Sequence, residues 1–279
     1  MQLIKASIRD DADIVLFGDS HEGTIAQHTD GLLEVIEYLA THKNAYGIYM
    51  GDETEAIMVD DKRYNPETCS QPIPLLQSRN VVKMFKPVRK KVLCWLWGNH
   101  TQLLYRYGNL TRDIVCAAEK DGGLGIPYGT WAAKVDFGWF KFFVCHGVRG
   151  RLTSNAKDYD QQQANIKASL KMKLRDLAGD CVAMACGHFH KLIRVEPSNK
   201  LYLIDDGKKV KQRYLGALQK AEWIDPDRRW YGCTGSFLKS TVIGSSTYAE
   251  IAGYGPVELG CLIARVRDRK IVDLERWVM

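Results

Sequence analysis

The feature that most constrains the fold of this chain is a series of five short polar motifs, each of which directly follows a run of apolar residues. In chain order the motifs are Gly18-Asp19-Ser20-His21, Gly51-Asp52, Gly98-Asn99-His100, His146-Gly147 and Gly187-His188-Phe189-His190. Short apolar runs that end at glycine are typical of buried strands. Polar residues at the carboxyl ends of such strands meet at one edge of a sheet, where ligands bind in α/β proteins.

The stretches between the motifs predict an α/β fold. Consecutive motifs are separated by enough chain for a crossover connection and a return strand, for which roughly 30 residues suffice. The first half predicts strands at residues 13–18 and 45–51 with a helix at residues 31–42 between them. Residues 131–144 are rich in aromatic side chains and predict two strands joined at Phe137-Gly138, a hairpin in a second sheet. Later residues predict a helix at 158–178 and strands at 231–237, 247–251, 260–267 and 270–277.

Composition and charge set broader limits. A chain of 279 residues with 46% hydrophobic residues is globular, and we expect one domain over residues 1–279. The net charge of +6 favours a phosphorylated or polyanionic substrate without establishing a nucleic-acid partner. No apolar run approaches the roughly 20 residues of a membrane span, and no export signal is evident. We therefore expect a cytoplasmic protein without membrane contact, whose eight cysteines are mostly buried thiols because no Cys-x-x-Cys pair occurs.

A charged stretch at about residues 205–230 is predicted to be an insertion. It carries basic residues among aromatic ones, a composition that suits phosphates and stacked bases but also suits a solvated hairpin. The residues are Lys208, Lys209, Lys211, Arg213, Tyr214, Trp223, Arg228, Arg229 and Trp230. A substrate-facing role and a solvated surface both remain open for this stretch.

The side chains in the motifs suit the hydrolysis of a phosphate ester. That reaction needs an activated water and a neutralised phosphoryl group, and two divalent ions about 3.5–4 Å apart supply both. A mixture of carboxylate and amide oxygens with imidazoles favours Mn, Fe, Zn, Co or Ni over Ca or Mg. Any one of these motifs alone is more often a turn than a metal site. The set is specific, because five of the seven histidines in the chain lie within it.

The ordered motifs resemble the signature of the calcineurin-like metallophosphoesterase superfamily over roughly residues 12 to 190. The resemblance implies an α/β fold in which two mixed β-sheets pack as a sandwich flanked by helices. It also implies two divalent metal ions, with Mn the first expectation. One ion would be held by Asp19, His21 and His190, the other by Asn99, His146 and His188, and Asp52 would bridge them. His100 matches the catalytic histidine, which would protonate the leaving oxygen or stabilise charge on the scissile phosphate.

The sequence departs from the family pattern at two places. Gly51-Asp52 continues as Glu53-Thr54-Glu55, whereas protein Ser/Thr phosphatases of the superfamily continue with Asp-Arg-Gly, so a protein phosphatase is not expected. Thr101 stands where an acidic residue commonly orients the catalytic histidine, which leaves the orienting partner of His100 open.

Two arginines follow the motif histidine at position 146. Arg149 and Arg151 either contact substrate phosphates or lie in a solvated loop. Residues 233–260 are similar to the tail of phage and bacterial DNA-repair-exonuclease-like phosphoesterases.

These patterns together predict a two-metal phosphoesterase that hydrolyses phosphodiester bonds in nucleic acid, DNA or RNA. One alternative is a phosphomonoesterase or small-nucleotide phosphodiesterase, which needs the same metals but a closed pocket. The other is a non-catalytic protein-binding scaffold. The retention of every ligand position disfavours a scaffold, and the oligomeric state stays open.

Overall fold

A computed structural model of the chain describes residues 1–215 and 218–279, and it confirms the expected α/β architecture. The strands are β1 Gln2–Lys5, β2 Ala12–Phe17, β3 Ala45–Tyr49, β4 Val92–Trp95, β5 Ala132–Asp136, β6 Lys141–Cys145, β7 Ala183–Cys186, β8 Leu192–Val195, β9 Leu201–Asp205, β10 Val210–Tyr214, β11 Trp230–Thr234, β12 Gly260–Arg267 and β13 Lys270–Val278. The α-helices are α1 Thr29–Thr41, α2 Pro74–Phe85, α3 Asn99–Gln102, α4 Tyr159–Leu174 and α5 Tyr248–Ile251.

Two mixed sheets organise these elements. One has five strands in the order β13-β12-β2-β3-β4, in which β2, β3 and β4 are parallel and β12 is antiparallel to both of its neighbours. The other has six strands in the order β1-β5-β6-β7-β11-β8, in which β6, β7 and β11 are parallel. The predicted hairpin is the antiparallel pair β5 and β6, with its turn at residues 137–140.

The central strands are apolar on both faces because each face packs against something. In β2, Ile14 and Leu16 enter a core shared with residues of the six-stranded sheet, such as Val144. The alternate residues Val15 and Phe17 pack on the other side, against α1 and α2. Strands buried on both faces appear in a sequence as continuous apolar runs, which is what precedes each motif. Residues of both sheets contribute to the core cluster that lies between them.

One predicted strand is wrong. Residues 247–251 form the short helix α5, not a strand. The side chain of Thr247 accepts a hydrogen bond from the backbone N–H of Glu250 at 3.2 Å. A threonine followed three residues later by glutamate is a helix-capping pattern, and this local interaction outweighs the strand propensity of the neighbouring residues.

The helices and the cysteines bear on two further predictions. In the described part of the chain, no helix combines the length and the apolar character needed to cross a membrane. All eight cysteines are free thiols, and Cys94, Cys145, Cys186 and Cys261 are buried as expected. Burial raises the pKa of the Cys145 thiol to about 12, so this group stays protonated at neutral pH.

The predicted insertion contains a two-stranded hairpin of β9 and β10, which begins at Leu201, earlier than predicted. Residues 216–217 of the predicted stretch lie outside the described residues. All residues of both strands are exposed. Among residues 1–215 and 218–279, neither strand pairs with either of the two main sheets.

The hairpin emerges far from the motifs. Strand β8 starts just after His190 and runs away from it, and β11 returns antiparallel to β8. Beyond the end of β11, the N–H of Phe237 donates to the carbonyl of Asp19 at 3.1 Å, so that end of β11 lies beside the motifs. The chain between β8 and β11 therefore projects from the opposite end of the six-stranded sheet. The hairpin does not face the motif residues, in contrast to one of the two interpretations from sequence.

Arg229 belongs to the same charged stretch, but the structure buries it completely. Its guanidinium donates to the backbone carbonyls of Ile224 at 2.7 Å, Arg175 at 2.8 Å and Gly179 at 3.1 Å. The carbonyls that follow α4 are thus turned toward Arg229, which explains why the helix ends at Leu174 and not near residue 178. Arg229 is a structural clamp and is not available to a substrate.

We expect Arg229→Lys to lower the free energy of unfolding by about 2–4 kcal/mol, because an ammonium cannot reach carbonyls that a planar guanidinium bonds together, and the carbonyls left unpaired are buried. Arg228→Lys is the matched control and should change stability by less than about 0.5 kcal/mol. Urea unfolding followed by circular dichroism measures both values. Equal effects of the two substitutions would contradict the clamp.

Candidate metal centre

The motif residues lie at strand ends of both sheets and meet between them. Asp19 and His21 follow β2, Asp52 follows β3, and Asn99 and His100 begin α3 after β4. From the six-stranded sheet, His146 directly follows β6, while His188 and His190 follow β7. Asp19, His21, Asp52 and His146 are buried, whereas Asn99, His100, His188 and His190 are partly exposed.

Backbone hydrogen bonds join the motif loops to one another. The N–H of Asp19 donates to the carbonyl of Gly51 at 2.8 Å, and the N–H of His21 donates to the carbonyl of Asp52 at 3.1 Å. The N–H of His188 donates to the Asp19 carboxylate, with distances of 3.0 and 3.2 Å to the two oxygens. The loops therefore hold each other in place before any side chain binds a ligand.

The backbone of this region occupies an unusual conformation. Asp19, His21, Asp52, His188 and His190 all have positive φ angles, between 49° and 68°. A non-glycine residue in the left-handed region costs about 1–2 kcal/mol and persists only where the surroundings enforce it. Such strain clusters at functional sites, because it directs side chains to a point that relaxed loops would not reach.

Two motif glycines are required by close packing. A Cβ on Gly98 would lie 2.0 Å from the Asp52 carboxylate oxygen Oδ1. A Cβ on Gly51, whose φ is +98°, would lie 2.6 Å from Nδ1 of His146. The glycines therefore allow chain segments to approach the side chains of the site.

The structure brings together the residues that the sequence predicted as metal ligands. Asp19, His21 and His190 place one donor atom each within 4.8 Å of one another, and so do Asp52, His146 and His188. A third group with the same spacing consists of His21, Asp52 and His100. Oδ1 of Asn99 lies 2.8 Å from Nε2 of His146. Each group could hold a cation, and Asp52 is shared between two of them.

The chemistry of these donors fits metal ions. Nδ1 of His146 donates to the carbonyl of Met50 at 2.8 Å, which directs the lone pair of Nε2 toward the site. Nε2 then faces Oδ1 of Asn99 at 2.8 Å and Oδ2 of Asp52 at 3.2 Å, and both of these atoms are acceptors. Acceptors that face one another in a buried site need a cation between them, either a proton or a metal ion.

The pKa values of His146 and Asp52 in the metal-free protein also indicate a site that attracts a cation. Burial disfavours the charged form of His146, but the adjacent Asp52 carboxylate outweighs burial and raises the pKa of His146 to about 9. Burial also opposes ionisation of Asp52, yet His146 and His100 hold the pKa of Asp52 well below its usual range. The centre thus keeps its carboxylate ionised and attracts positive charge.

Glu55 supplies the orienting partner of His100 that the sequence left open. Its backbone carbonyl accepts from Nδ1 of His100 at 2.5 Å, and its carboxylate lies 3.8 Å from the same nitrogen. The same carboxylate accepts from Nδ1 of His21 at 2.8 Å. In the sequence, Glu55 stands out only as a departure from the phosphatase pattern. The available signal was an acidic residue three positions after Asp52.

Thr101 has a different partner. It is fully buried, and its hydroxyl lies 3.1 Å from the hydroxyl of Thr111. Thr111 in turn donates to the carboxyl group of Glu53 at 2.5 Å. Burial raises the pKa of Glu53 to about 7, although the hydrogen bond from Thr111 lowers it. The residue after His100 therefore packs into the protein beneath the site, where an ionised acid would be costly.

The arginines proposed from sequence are available but not engaged. Arg149 and Arg151 are both exposed, and within the described residues neither guanidinium forms a hydrogen bond or an ion pair. A third arginine was not anticipated. The guanidinium of Arg63 donates two hydrogen bonds to the carboxylate of Asp61, at 3.0 and 2.7 Å. The positive charge of Arg63 lowers the pKa of His100, but this effect is smaller than those of burial, Asp52 and Glu55.

Comparison with known proteins gives a general similarity. No protein-family model matches the chain, and no curated protein matches it. Among solved structures, a metallophosphoesterase from Sphaerobacter thermophilus is similar, at 14% identity and a TM-score of 0.36, over 81% of this chain and 77% of that one. A conserved uncharacterized protein from Streptococcus pneumoniae, described as a predicted phosphoesterase, has 13% identity and a TM-score of 0.30. The match covers 96% of this chain and 98% of that one.

A protein of unknown function from Aquifex aeolicus has 12% identity and a TM-score of 0.26, over 64% of this chain and 80% of its own. At such low identities and TM-scores, a functional assignment for this chain rests on its own side chains.

We expect metal binding to strengthen as pH rises toward 9. In the metal-free protein His146 is protonated below its pKa of about 9, and the proton must leave before Nε2 can coordinate a metal ion. The apparent association constant for Mn²⁺ at the site that contains His146 should rise about tenfold per pH unit in this range, with release of about one proton. Calorimetric titration in buffers of different ionisation enthalpy measures both. A pH-independent affinity would contradict the protonated state of His146.

Proposed function

We propose that this protein is a two-metal phosphoesterase. The observation that carries the proposal is the convergence of buried His146 and Asp52 with the partly exposed Asn99, whose acceptor atoms face one another and require a cation. Two divalent ions, when bound, would polarise a phosphoryl group and activate a water, which is the chemistry that phosphate ester hydrolysis needs. The mixed set of carboxylate, amide and imidazole ligands suits Mn, and it is also compatible with Fe, Zn, Co or Ni.

The proposed ligand sets follow the spatial groups of the structure. Asp19, His21 and His190 would hold one ion, Asn99, His146 and His188 the other, and Asp52 would bind both. The Met50 carbonyl fixes the ring of His146 and the Glu55 carboxylate fixes the ring of His21. Such partners keep histidines in the tautomer and orientation that a metal ion requires.

His100 is the proposed catalytic acid. Its Nδ1 is occupied by the carbonyl of Glu55, so Nε2 is the nitrogen that can reach a substrate. Burial lowers the pKa of His100, but the charges of Asp52 and Glu55 outweigh burial and raise it above the ordinary value. The raised pKa favours the imidazolium form of His100, which can donate a proton to the leaving oxygen of a phosphate ester. His100 is also partly exposed, as a group that meets substrate must be.

We propose a phosphodiester in nucleic acid as the substrate. Four of the eight proposed site residues are partly exposed, so the centre opens to solvent and does not require a small, enclosed ligand. Arg149 and Arg151, exposed and without partners in the described residues, are proposed to contact substrate phosphates, and Arg63 is a third candidate. The net charge of +6 favours a polyanion in the same direction.

The proposed activity is tested by hydrolysis of a chromogenic phosphodiester beside its monoester analogue, in the presence of Mn²⁺. Wild-type protein should hydrolyse the diester. His100→Ala should lower kcat about 100-fold while metal content persists, because the imidazole donates a proton and holds no metal in the proposed assignment. Asp52→Asn should lose both activity and metal, since it removes the shared carboxylate.

Metal content, measured by plasma mass spectrometry on the same samples, separates the two roles. Equal metal loss in both variants would contradict the assignment of His100, and turnover of the monoester alone would contradict the diester proposal. DNA and RNA follow as substrates in the same assay. Failure of wild-type protein on all of them would favour a non-catalytic scaffold.

Glu55→Gln should shift the pH dependence of kcat. Removing the negative charge of Glu55 lowers the pKa of His100, so His100 loses its proton at a lower pH. The alkaline limb of the pH profile of kcat therefore shifts to lower pH. We expect kcat at pH 8 to fall about tenfold. The amide can still accept from His21, so metal content should persist. Glu53→Gln is the matched control because that carboxyl group bonds Thr111 and not a histidine. An unchanged alkaline limb in Glu55→Gln would exclude the proposed role.

A further inference from the structure

The hairpin of β9 and β10 has an unusual surface for a soluble protein. Opposite residues of an antiparallel pair share a face, so Leu201, Leu203, Val210 and Tyr214 lie on one face of the hairpin, together with Asp205 and Gln212. Their side chains are 49%, 67%, 66% and 67% exposed. A two-stranded hairpin that packs on nothing is only marginally stable in water. We therefore expect this face of the hairpin to pack against a partner.

The hydrogen-bond pattern shows which backbone groups are free. The N–H of Leu215 donates to the carbonyl of Lys200 at 3.0 Å, and the N–H of Asp206 donates to the carbonyl of Lys209 at 3.3 Å. Because hydrogen-bonded pairs alternate along an antiparallel ladder, the even-numbered residues of β9 direct their backbone groups toward β10. The odd-numbered residues Leu201, Leu203 and Asp205 direct theirs outward, where no described residue bonds them.

The outer edge of β9 lacks the usual protection. Exposed edges of soluble proteins normally carry charged residues, proline or a bulge, which prevent pairing with another chain. Four consecutive residues of β9, Leu201 to Ile204, are uncharged and apolar or aromatic. The edge of β10 differs, because Lys211 and Arg213 flank its centre at Gln212.

We propose that two copies of this chain pair through the β9 edges, antiparallel about a twofold axis at Leu203, and form a four-stranded sheet. In this register the outward groups of Leu203 meet those of Leu203 in the second copy, as a hydrogen-bonded pair requires. The two faces that carry Leu201, Leu203, Val210 and Tyr214 then form one continuous surface. A twofold interface of this kind closes on itself and leaves the protected β10 strands at the outside.

The side chains support this register. Tyr202 lies opposite Ile204 of the second copy, and the twofold axis generates this pair on both sides of Leu203. Aromatic side chains opposite β-branched ones are favourable cross-strand pairs. Lys200, which forms an ion pair with Asp227, lies opposite Asp206 of the second copy, which forms an ion pair with Lys211, so opposite charges meet at both ends of the interface. Pairing through β10 about Gln212 would instead place Lys211 opposite Arg213, and like charges directly opposite are destabilising. Charge therefore selects the β9 edge.

The position of the hairpin makes the assembly compatible with the metal centre. The hairpin projects from the end of the six-stranded sheet opposite the motifs, so pairing leaves both centres open to solvent. The proposed dimer is independent of the proposed phosphoesterase activity.

The test compares the self-association of three proteins by sedimentation velocity over a range of concentrations. Wild type should dimerise. Leu203→Pro should raise the dimer dissociation constant at least about tenfold, because it removes an outward donor without removing a bond inside the hairpin. Gln212→Pro is the matched control: it removes the equivalent outward donor on β10 and should leave dimerisation unchanged. A monomeric wild type, or equal loss in both variants, would overturn the proposal.

Charge exchange supplies a second, independent measurement. Lys200→Asp and Asp206→Lys should each weaken the dimer, and the double variant should restore it. Within one copy these residues stand at opposite ends of β9, roughly 20 Å apart, so restoration requires contact between copies. No restoration would overturn the register. A wild type that stays monomeric and instead binds DNA through the hairpin would assign this surface to nucleic acid.

Discussion

The contact between His146 and Asp52 is the interaction on which the rest of the site depends. His146 ends a strand of the six-stranded sheet, and Asp52 follows a strand of the five-stranded sheet, so their contact at 3.2 Å joins the two halves of the protein. The carbonyl of Met50, two residues before Asp52, holds the other nitrogen of the same ring. A buried imidazole is thus clamped between two groups of the opposite sheet, and the surrounding loops must conform to that clamp.

The strained loops are a consequence of this convergence. Side chains from separate strands have to point at a volume a few ångströms wide, and relaxed backbone would direct several of them elsewhere. The positive φ angles of Asp19, Asp52 and His188 achieve this, and interloop hydrogen bonds maintain them. Strain of about 1–2 kcal/mol per residue is tolerable because the two sheets behind the loops share a large apolar core. The rigid core therefore permits a preorganised site.

The two ends of the six-stranded sheet have different characters. At one end, buried carboxylates and imidazoles form a polar centre with partial access to solvent. At the other end, Arg229 ties the chain after α4 to the base of the insertion, and the hairpin of β9 and β10 extends beyond that clamp. The exposed hairpin, whose strand β9 is mostly apolar, lies far from the polar centre and suits an assembly function, because self-association there would not obstruct substrate. The same separation explains why basic residues in the insertion do not line the site.

Residue order alone specifies most of the central strands and the polar residues at their ends. Apolar runs followed by polar motifs specify strands buried on both faces, and the carboxyl ends of parallel strands meet by geometry. The proposed ligands, from Asp19 to His190, could therefore be predicted from residue type and order. Local capping signals are also present in the sequence. The strand predicted at residues 247–251 was wrong because the pattern from Thr247 to Glu250 caps a short helix.

The side chains that support the proposed ligands depend instead on how the two sheets pack together. Glu55 binds both His21 and His100 because separate loops converge, and no periodicity links these positions. Thr101 turns into the protein for the same reason, and Arg229 is buried although its neighbours in sequence are charged. Residue type and spacing report the period and polarity of a segment. They do not report which carbonyl or carboxylate from a distant segment will arrive beside it, because that depends on how the two sheets pack.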